Sequence, residues 1–176
     1  VRNQRKKKTN VSVEQSEGQY GTYNVEMGKP FEAVRSTYND QSKANVTISN
    51  FRIESDLNAE AEQNEKYDYA VFDAVVESTG DEINDDFMQE VSFTFYDENG
   101  KEIESYALRE TQKVTFEPAD LRPNGKNEGT FALAIPKGSV PKEILFDTNW
   151  TSATGNTYKY VMLITGAHQQ NAENIR

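Results

Sequence analysis

Asp81, Glu82, Asp85 and Asp86 place four carboxylates within six residues. Calcium takes six to eight oxygen ligands, and turns rich in acids and amides supply them, so these four are candidate metal ligands. Their spacing lacks the alternating ligands, central glycine and distal glutamate of an EF-hand loop. Asp97, Glu98 and Asn99 form a second oxygen-rich turn. A strand expected over 87–96 separates the two turns by about 30 Å at 3.3 Å per residue, too far to share an ion. The competing reading of both turns is acids that simply sit in water.

A carboxylate pair could instead hydrolyse a glycosidic bond, which requires two acids roughly 5–10 Å apart across a cleft. Acids are plentiful here, but a compact domain of this size suggests no such cleft, and a hydrolase stands third among the readings. His168 is the single histidine, in the polar tail GAHQQNAENIR, where nothing would hold an imidazole between two triad partners. The chain has no cysteine, which excludes disulfides, thiol catalysis and cysteine zinc sites. No catalytic residue and no cofactor is therefore assigned. Asp73 interrupts an apolar run on the parity of Tyr69, Val71 and Val75. It either meets a hydrogen-bonding partner, such as a tyrosine hydroxyl, or lies on a solvated edge of its face. Trp150, Tyr158 and Tyr160 flank the last hairpin. Exposed, they would form a partner surface; packed, they would be core or cross-strand pairs.

The elements that must position these residues read as all β. Short strands are expected over 22–27 and 31–38, divided by Gly28 and Pro30. In 44–54 the apolar parity changes from Val46 and Ile48 to Phe51 and Ile53, which predicts a bulge or bend near Asn50. The polar stretch 55–66 has the alanine and glutamate content for one helical turn. Residues 67–78 are apolar on both parities, as a central strand covered on both faces would be. In 87–96, Val91, Phe93 and Phe95 share one face, and Asp97–Gly100 reads as a hairpin turn with glycine supplying positive φ. Strands over 101–108, 112–117, 128–135, 143–150 and 157–165 follow, punctuated by Pro123–Asn124–Gly125, Pro136, Gly138, Pro141 and Gly155. Eight or nine short strands with frequent turns predict an antiparallel, immunoglobulin-like β-sandwich.

The 176 residues suit one domain over 22–166, a polar, basic-start tether over 1–21 and a flexible tail over 167–176. The net charge of −10 is unevenly placed. Residues 1–8 carry five cations (Arg2, Arg5, Lys6, Lys7, Lys8) and no acid, whereas residues 54–104 hold seventeen acids against Lys66 and Lys101. Such an acidic body repels nucleic acid and anionic lipid and favours basic partners. Apolar runs of only a few residues cannot span a membrane.

Five local motifs also carry a resemblance. Gly28–Lys29–Pro30–Phe31, Ser78–Thr79–Gly80–Asp81, Tyr96–Asp97–Glu98–Asn99–Gly100–Lys101, Leu121–Arg122–Pro123–Asn124–Gly125 with Gly129, and Ile135–Pro136–Lys137 occur in this order. The chain over about 28–164 resembles the immunoglobulin-like domains of unknown function common in surface lipoproteins of Gram-positive bacteria, related in fold to a secreted mycobacterial immunoprotective antigen. Serine at 78 replaces the usual asparagine, and Asn124 is inserted where the family reads Pro-Gly. The resemblance implies export, a position outside the cytoplasmic membrane, tethering to its outer face, and no known catalytic residues. With no lipobox cysteine, either the anchor lies upstream of Val1 or the protein has none. The joint expectation is a non-catalytic surface module acting in protein binding or envelope structure. Its partner is an unidentified protein or envelope component of basic character. The alternative is a calcium-responsive module using Asp81, Glu82, Asp85 and Asp86.

Overall fold

A computed structural model describes residues 21–36, 41–57, 61–79, 87–88, 91–108, 113–148 and 158–164. Its ten strands are β1 (Gly21–Val25), β2 (Phe31–Ser36), β3 (Gln41–Glu54), β4 (Tyr67–Ser78), β5 (Ser92–Tyr96), β6 (Glu102–Ile103), β7 (Tyr106–Ala107), β8 (Lys126–Pro136), β9 (Glu143–Asp147) and β10 (Tyr158–Leu163). One short helix, α1 (Ala61–Lys66), falls in the stretch whose composition suggested a helical turn. The strands form two five-stranded sheets, ordered β1-β10-β9-β5-β6 and β2-β3-β4-β8-β7, which face each other across a shared apolar core. The all-β sandwich is as expected. The described residues form ten strands, against the eight or nine expected, and one pairing among them departs from the antiparallel rule: β1 runs parallel to β10.

That parallel pair follows from a change of sheet. After β1 the chain turns at Gly28, whose φ of 87° suits glycine, and enters the second sheet as β2, antiparallel to β3. The bulge in β3 lies where the parity change placed it. Ser49 pairs Asp73 and Arg52 pairs Val71, so one extra residue enters β3, and Asn50 adopts a left-handed φ of 56°. This returns Phe51 to the core face already occupied by Val46 and Ile48.

The central strand β4 lies between β3 and β8, and around Tyr69–Val71 it is apolar on both faces because both are covered there. Ala70, Phe72, Ala74 and Val76 face the main core. Tyr69 and Val71 form a second, smaller core with Ala132 and Ala134 of β8, over which Leu57, Tyr67, Leu108 and Val114 pack. Small alanines on β8 leave room for these covering loops.

The main core carries a run of aromatic rings. Phe116 stacks on Phe131 (centroids 4.9 Å apart), Phe131 on Phe72 (5.6 Å), and Phe72 meets Phe93 edge-on (4.8 Å). Phe93 then stacks on Phe146 (5.3 Å), which leads to Tyr160 (6.0 Å). Offset and edge-on pairs in this range contribute about 0.5–1.5 kcal/mol each beyond their burial. The hydroxyl of Tyr160 accepts a hydrogen bond from the Val34 backbone N–H (2.8 Å), tying β10 of one sheet to the edge strand β2 of the other.

Three expected strands are corrected. Among the described residues of the strand expected over 87–96, Ser92–Tyr96 are strand, whereas Phe87 and Met88 lie in a turn and are buried in the core. The strand over 101–108 is two short ones in different sheets: Ile103 pairs Phe95, whereas Tyr106 pairs Ala134. Residues 113–117 of the strand expected over 112–117 are not strand. They bond β8 irregularly, with the Thr115 and Phe116 N–H groups both donating to the Thr130 carbonyl (2.9 and 3.2 Å). The Thr115 hydroxyl accepts from the Thr130 N–H (2.8 Å). There Phe116 crosses so close to Gly129 that a Cβ on residue 129 would lie 2.5 Å from the Phe116 Cα. Gly129→Ala therefore forces two backbones apart and is expected to cost about 1–3 kcal/mol. Urea unfolding measures this, and a loss below about 0.5 kcal/mol, the scale of an ordinary surface change, would contradict the packing.

Candidate interaction surface

Tyr158 and Tyr160 are 5% and 0% exposed and belong to the main core. They form no partner surface, because β10 alternates and these two residues occupy its inward parity. Trp150, the third of that set, lies outside the described residues, as do Asp81, Glu82, Asp85, Asp86 and His168. In the hairpin at 97–100, the Asp97 carboxylate accepts hydrogen bonds from the Asn99 and Lys101 N–H groups (2.9 Å each). Gly100 takes a φ of 75°. That acid holds a turn. Among the described residues no three His, Cys, Asp or Glu side chains gather as metal ligands would, and no helix is long and apolar enough to cross a membrane. The small apolar hollow between Phe87, Met88, Phe116 and Leu121 has no space for a water molecule.

Asp73 sits in a polar network on the outer face of the second sheet. It accepts from the Thr130 hydroxyl (2.8 Å) and the Asn50 amide (3.0 Å), and Arg52 Nη1 stands 3.7 Å away. Arg52 Nε donates to Glu54 (3.2 Å), its Nη1 donates to the Asn50 carbonyl (2.8 Å), and Lys113 reaches Glu54 at 3.8 Å. A threonine hydroxyl and an asparagine amide thus take the place of the tyrosine hydroxyl anticipated for Asp73. Asn50 joins the network because the bulge turns it there. The arrangement couples the bulge in β3 to β4 and β8.

A second cluster fixes the loops. The Tyr69 hydroxyl donates to Asn64 Oδ1 (2.8 Å), the Asn64 amide donates to Asp56 (3.0 Å), and Lys137 Nζ donates to the Asn64 carbonyl (2.8 Å). Asp68 accepts from the Gly138 N–H (2.8 Å) and pairs with Lys137 (3.3 Å). These groups hold α1 and the loop after β8 against β4.

The edge where the chain passes from β6 to β7 is different. Tyr106 is 49% exposed, the most exposed aromatic among the described residues. Its ring meets that of Tyr67 edge-on, with centroids 5.9 Å apart and planes 69° apart. Its hydroxyl donates to Glu104 (3.1 Å). That hydrogen bond, and then the charge of the same carboxylate, hold the phenol above its ordinary pKa. Glu102 and Glu104 are both exposed along this edge. Sequence reasoning missed the site by reading 101–108 as one strand. The available signal was the parity change between Ile103 and the pair Tyr106 and Leu108.

The fold defines a class: a two-sheet, all-β sandwich shared with solved bacterial proteins. MPT63, a secreted protein from Mycobacterium tuberculosis, shares it with a TM-score of 0.53 and 9% identity, over 82% of this chain and 98% of that one. An uncharacterized β-sandwich protein from Clostridium difficile 630 matches with a TM-score of 0.50 and 14% identity, over 86% and 99% of the two chains. A Bacillus subtilis protein assigned as a lipoprotein gives a TM-score of 0.47 and 15% identity, over 76% of this chain and 38% of that one. No protein-family model and no curated protein matches the sequence.

Because Asp73 joins three strands through hydrogen bonds, Asp73→Ala is expected to destabilise the domain by about 1–3 kcal/mol, as loss of a part-buried acceptor does. Asp73→Asn is expected to lose less. A thermal melt showing Asp73→Ala unchanged would overturn the structural role and leave the carboxylate available for chemistry.

Proposed function

We propose that this domain works outside the cytoplasmic membrane as a non-catalytic module of a cell-surface protein, in protein binding or envelope structure. The carrying observation is the division of labour among its polar groups. Asp73, Asp68, Asp97, Asn64 and Arg52 are engaged in bonds that hold the fold. Tyr106, by contrast, offers an exposed aromatic face beside carboxylates. Aromatic residues are enriched in protein-binding patches.

Two further observations support the reading. The fold is shared with a secreted mycobacterial protein of nearly the same extent. The five cations of residues 1–8 suit a segment near anionic headgroups, from which the acidic residues of 54–104 would hold the body away.

In cells that carry the full-length protein, protease added to intact cells is expected to degrade the domain while a cytoplasmic marker survives. A photo-crosslinking residue at position 106 is expected to give a discrete adduct. One at position 163, which is also exposed but lies on β10, is expected to give none. Protection of the domain until lysis, or the absence of an adduct from position 106, would overturn the reading.

A further inference from the structure

We propose that the β6–β7 edge binds a lysine- or arginine-bearing segment of a protein partner, one cation seating against the Tyr106 and Tyr67 rings beside the Glu104 carboxylate. The inference rests on the binding-module reading above and specifies the chemistry of the partner.

Geometry comes first. The two rings meet edge-on rather than forming a flat platform, so they leave a corner instead of a stacking surface. A cation gains from contact with a tyrosine face within about 6 Å of the ring centroid. A sugar ring stacks best on a flat, open face, which this edge-on pair does not offer. The Tyr106 hydroxyl bond to Glu104 fixes ring and carboxylate together, so both act on one incoming group.

Charge comes second. Over 97–104, leading into this edge, Asp97, Glu98, Glu102 and Glu104 face only Lys101. Asp97 is held by its turn, while Glu98, Glu102 and Glu104 are exposed. The Tyr106 hydroxyl is engaged by Glu104, which leaves the ring face, not the hydroxyl, for the incoming cation. Backbone geometry comes third. β7 is an edge strand paired on one side to β8 through Ala134 and Leu133, a place where an extended segment can lie alongside.

The test uses the full chain and two synthetic probes, a short oligolysine peptide and the matched oligoglutamate, titrated by calorimetry at low and high salt. Oligolysine is expected to bind with an affinity that falls as salt rises, and oligoglutamate is expected not to bind. Tyr106→Ala and Glu104→Gln are each expected to weaken oligolysine about two- to fivefold, the scale of an exposed cation–π contact or surface ion pair. Glu98→Gln, which removes the same charge from the neighbouring hairpin, is expected to weaken it less. Both edge positions are exposed, and an unchanged melting temperature confirms that the variants fold.

Equal losses in Glu104→Gln and Glu98→Gln with none in Tyr106→Ala would mean general attraction to an acidic body, and would overturn the site. Binding of a neutral oligosaccharide that Tyr106→Ala abolishes would also overturn it, in favour of carbohydrate. No oligolysine binding, together with a discrete adduct from position 106 on cells, would remove the cationic partner and leave the binding module standing. Failure of both would remove both.

Discussion

The hydroxyl of Tyr160 holds one side of this sandwich closed. Val34 lies on β2, at the edge of the second sheet, and its N–H donates to that hydroxyl across the gap between sheets. A buried N–H left without an acceptor would cost about 1–3 kcal/mol. The same ring contacts Tyr23 of β1, Phe31 of β2 and Phe146 of β9 at centroid distances of 6.0, 5.2 and 6.0 Å. One side chain therefore gathers strands from both sheets at the point where the chain crosses between them. The parallel pairing of β1 with β10 depends on that crossing.

The opposite side closes by another device. The chain leaves the first sheet at Ile103, joins the second at Tyr106, and then sends Phe116 beneath Gly129 into the aromatic run. Closing an edge with two two-residue strands leaves little ladder but much exposed side chain. Glu102, Glu104 and Tyr106 are exposed as a consequence of how the sandwich is sealed. The best candidate for recognition is thus a by-product of topology, presented on strands whose neighbours are fixed. Elsewhere on the second sheet, part of the outer face is covered by a second core and part is occupied by bonded polar groups.

Much of this was legible in the residues because period-2 alternation reports burial directly. The change of parity between Ile48 and Phe51 located the bulge, and the double parity of 67–78 identified the strand covered on both faces. Turn chemistry placed the hairpin at Asp97–Gly100. What failed was the distinction between a continuous strand and one that changes sheets: 101–108 follows directly on the hairpin turn and reads as its return strand, and only the shift from Ile103 to Tyr106 and Leu108 marks the crossing. Tyr158 and Tyr160 were ambiguous for a related reason. Alternation assigns them a common face, but which face is core depends on β1, β2 and β9 packing against them. The partners of Asp73 come from β3 and β8, more than twenty and more than fifty residues away, and local pattern carries no information about them. Asp81, Glu82, Asp85, Asp86 and Trp150 lie outside the described residues.

Native-state hydrogen exchange at the Val34 amide tests the central claim, that a phenol from the opposite sheet seals this edge. If Tyr160 closes it, Val34 exchanges only through global unfolding, with an opening free energy equal to that of the central amides of β4. In Tyr160→Phe, which keeps the ring and removes the acceptor, Val34 protection falls while β4 protection tracks the global stability of the variant. Exchange of Val34 in the wild-type chain through low-energy local opening, as at a fraying edge strand, would contradict the account.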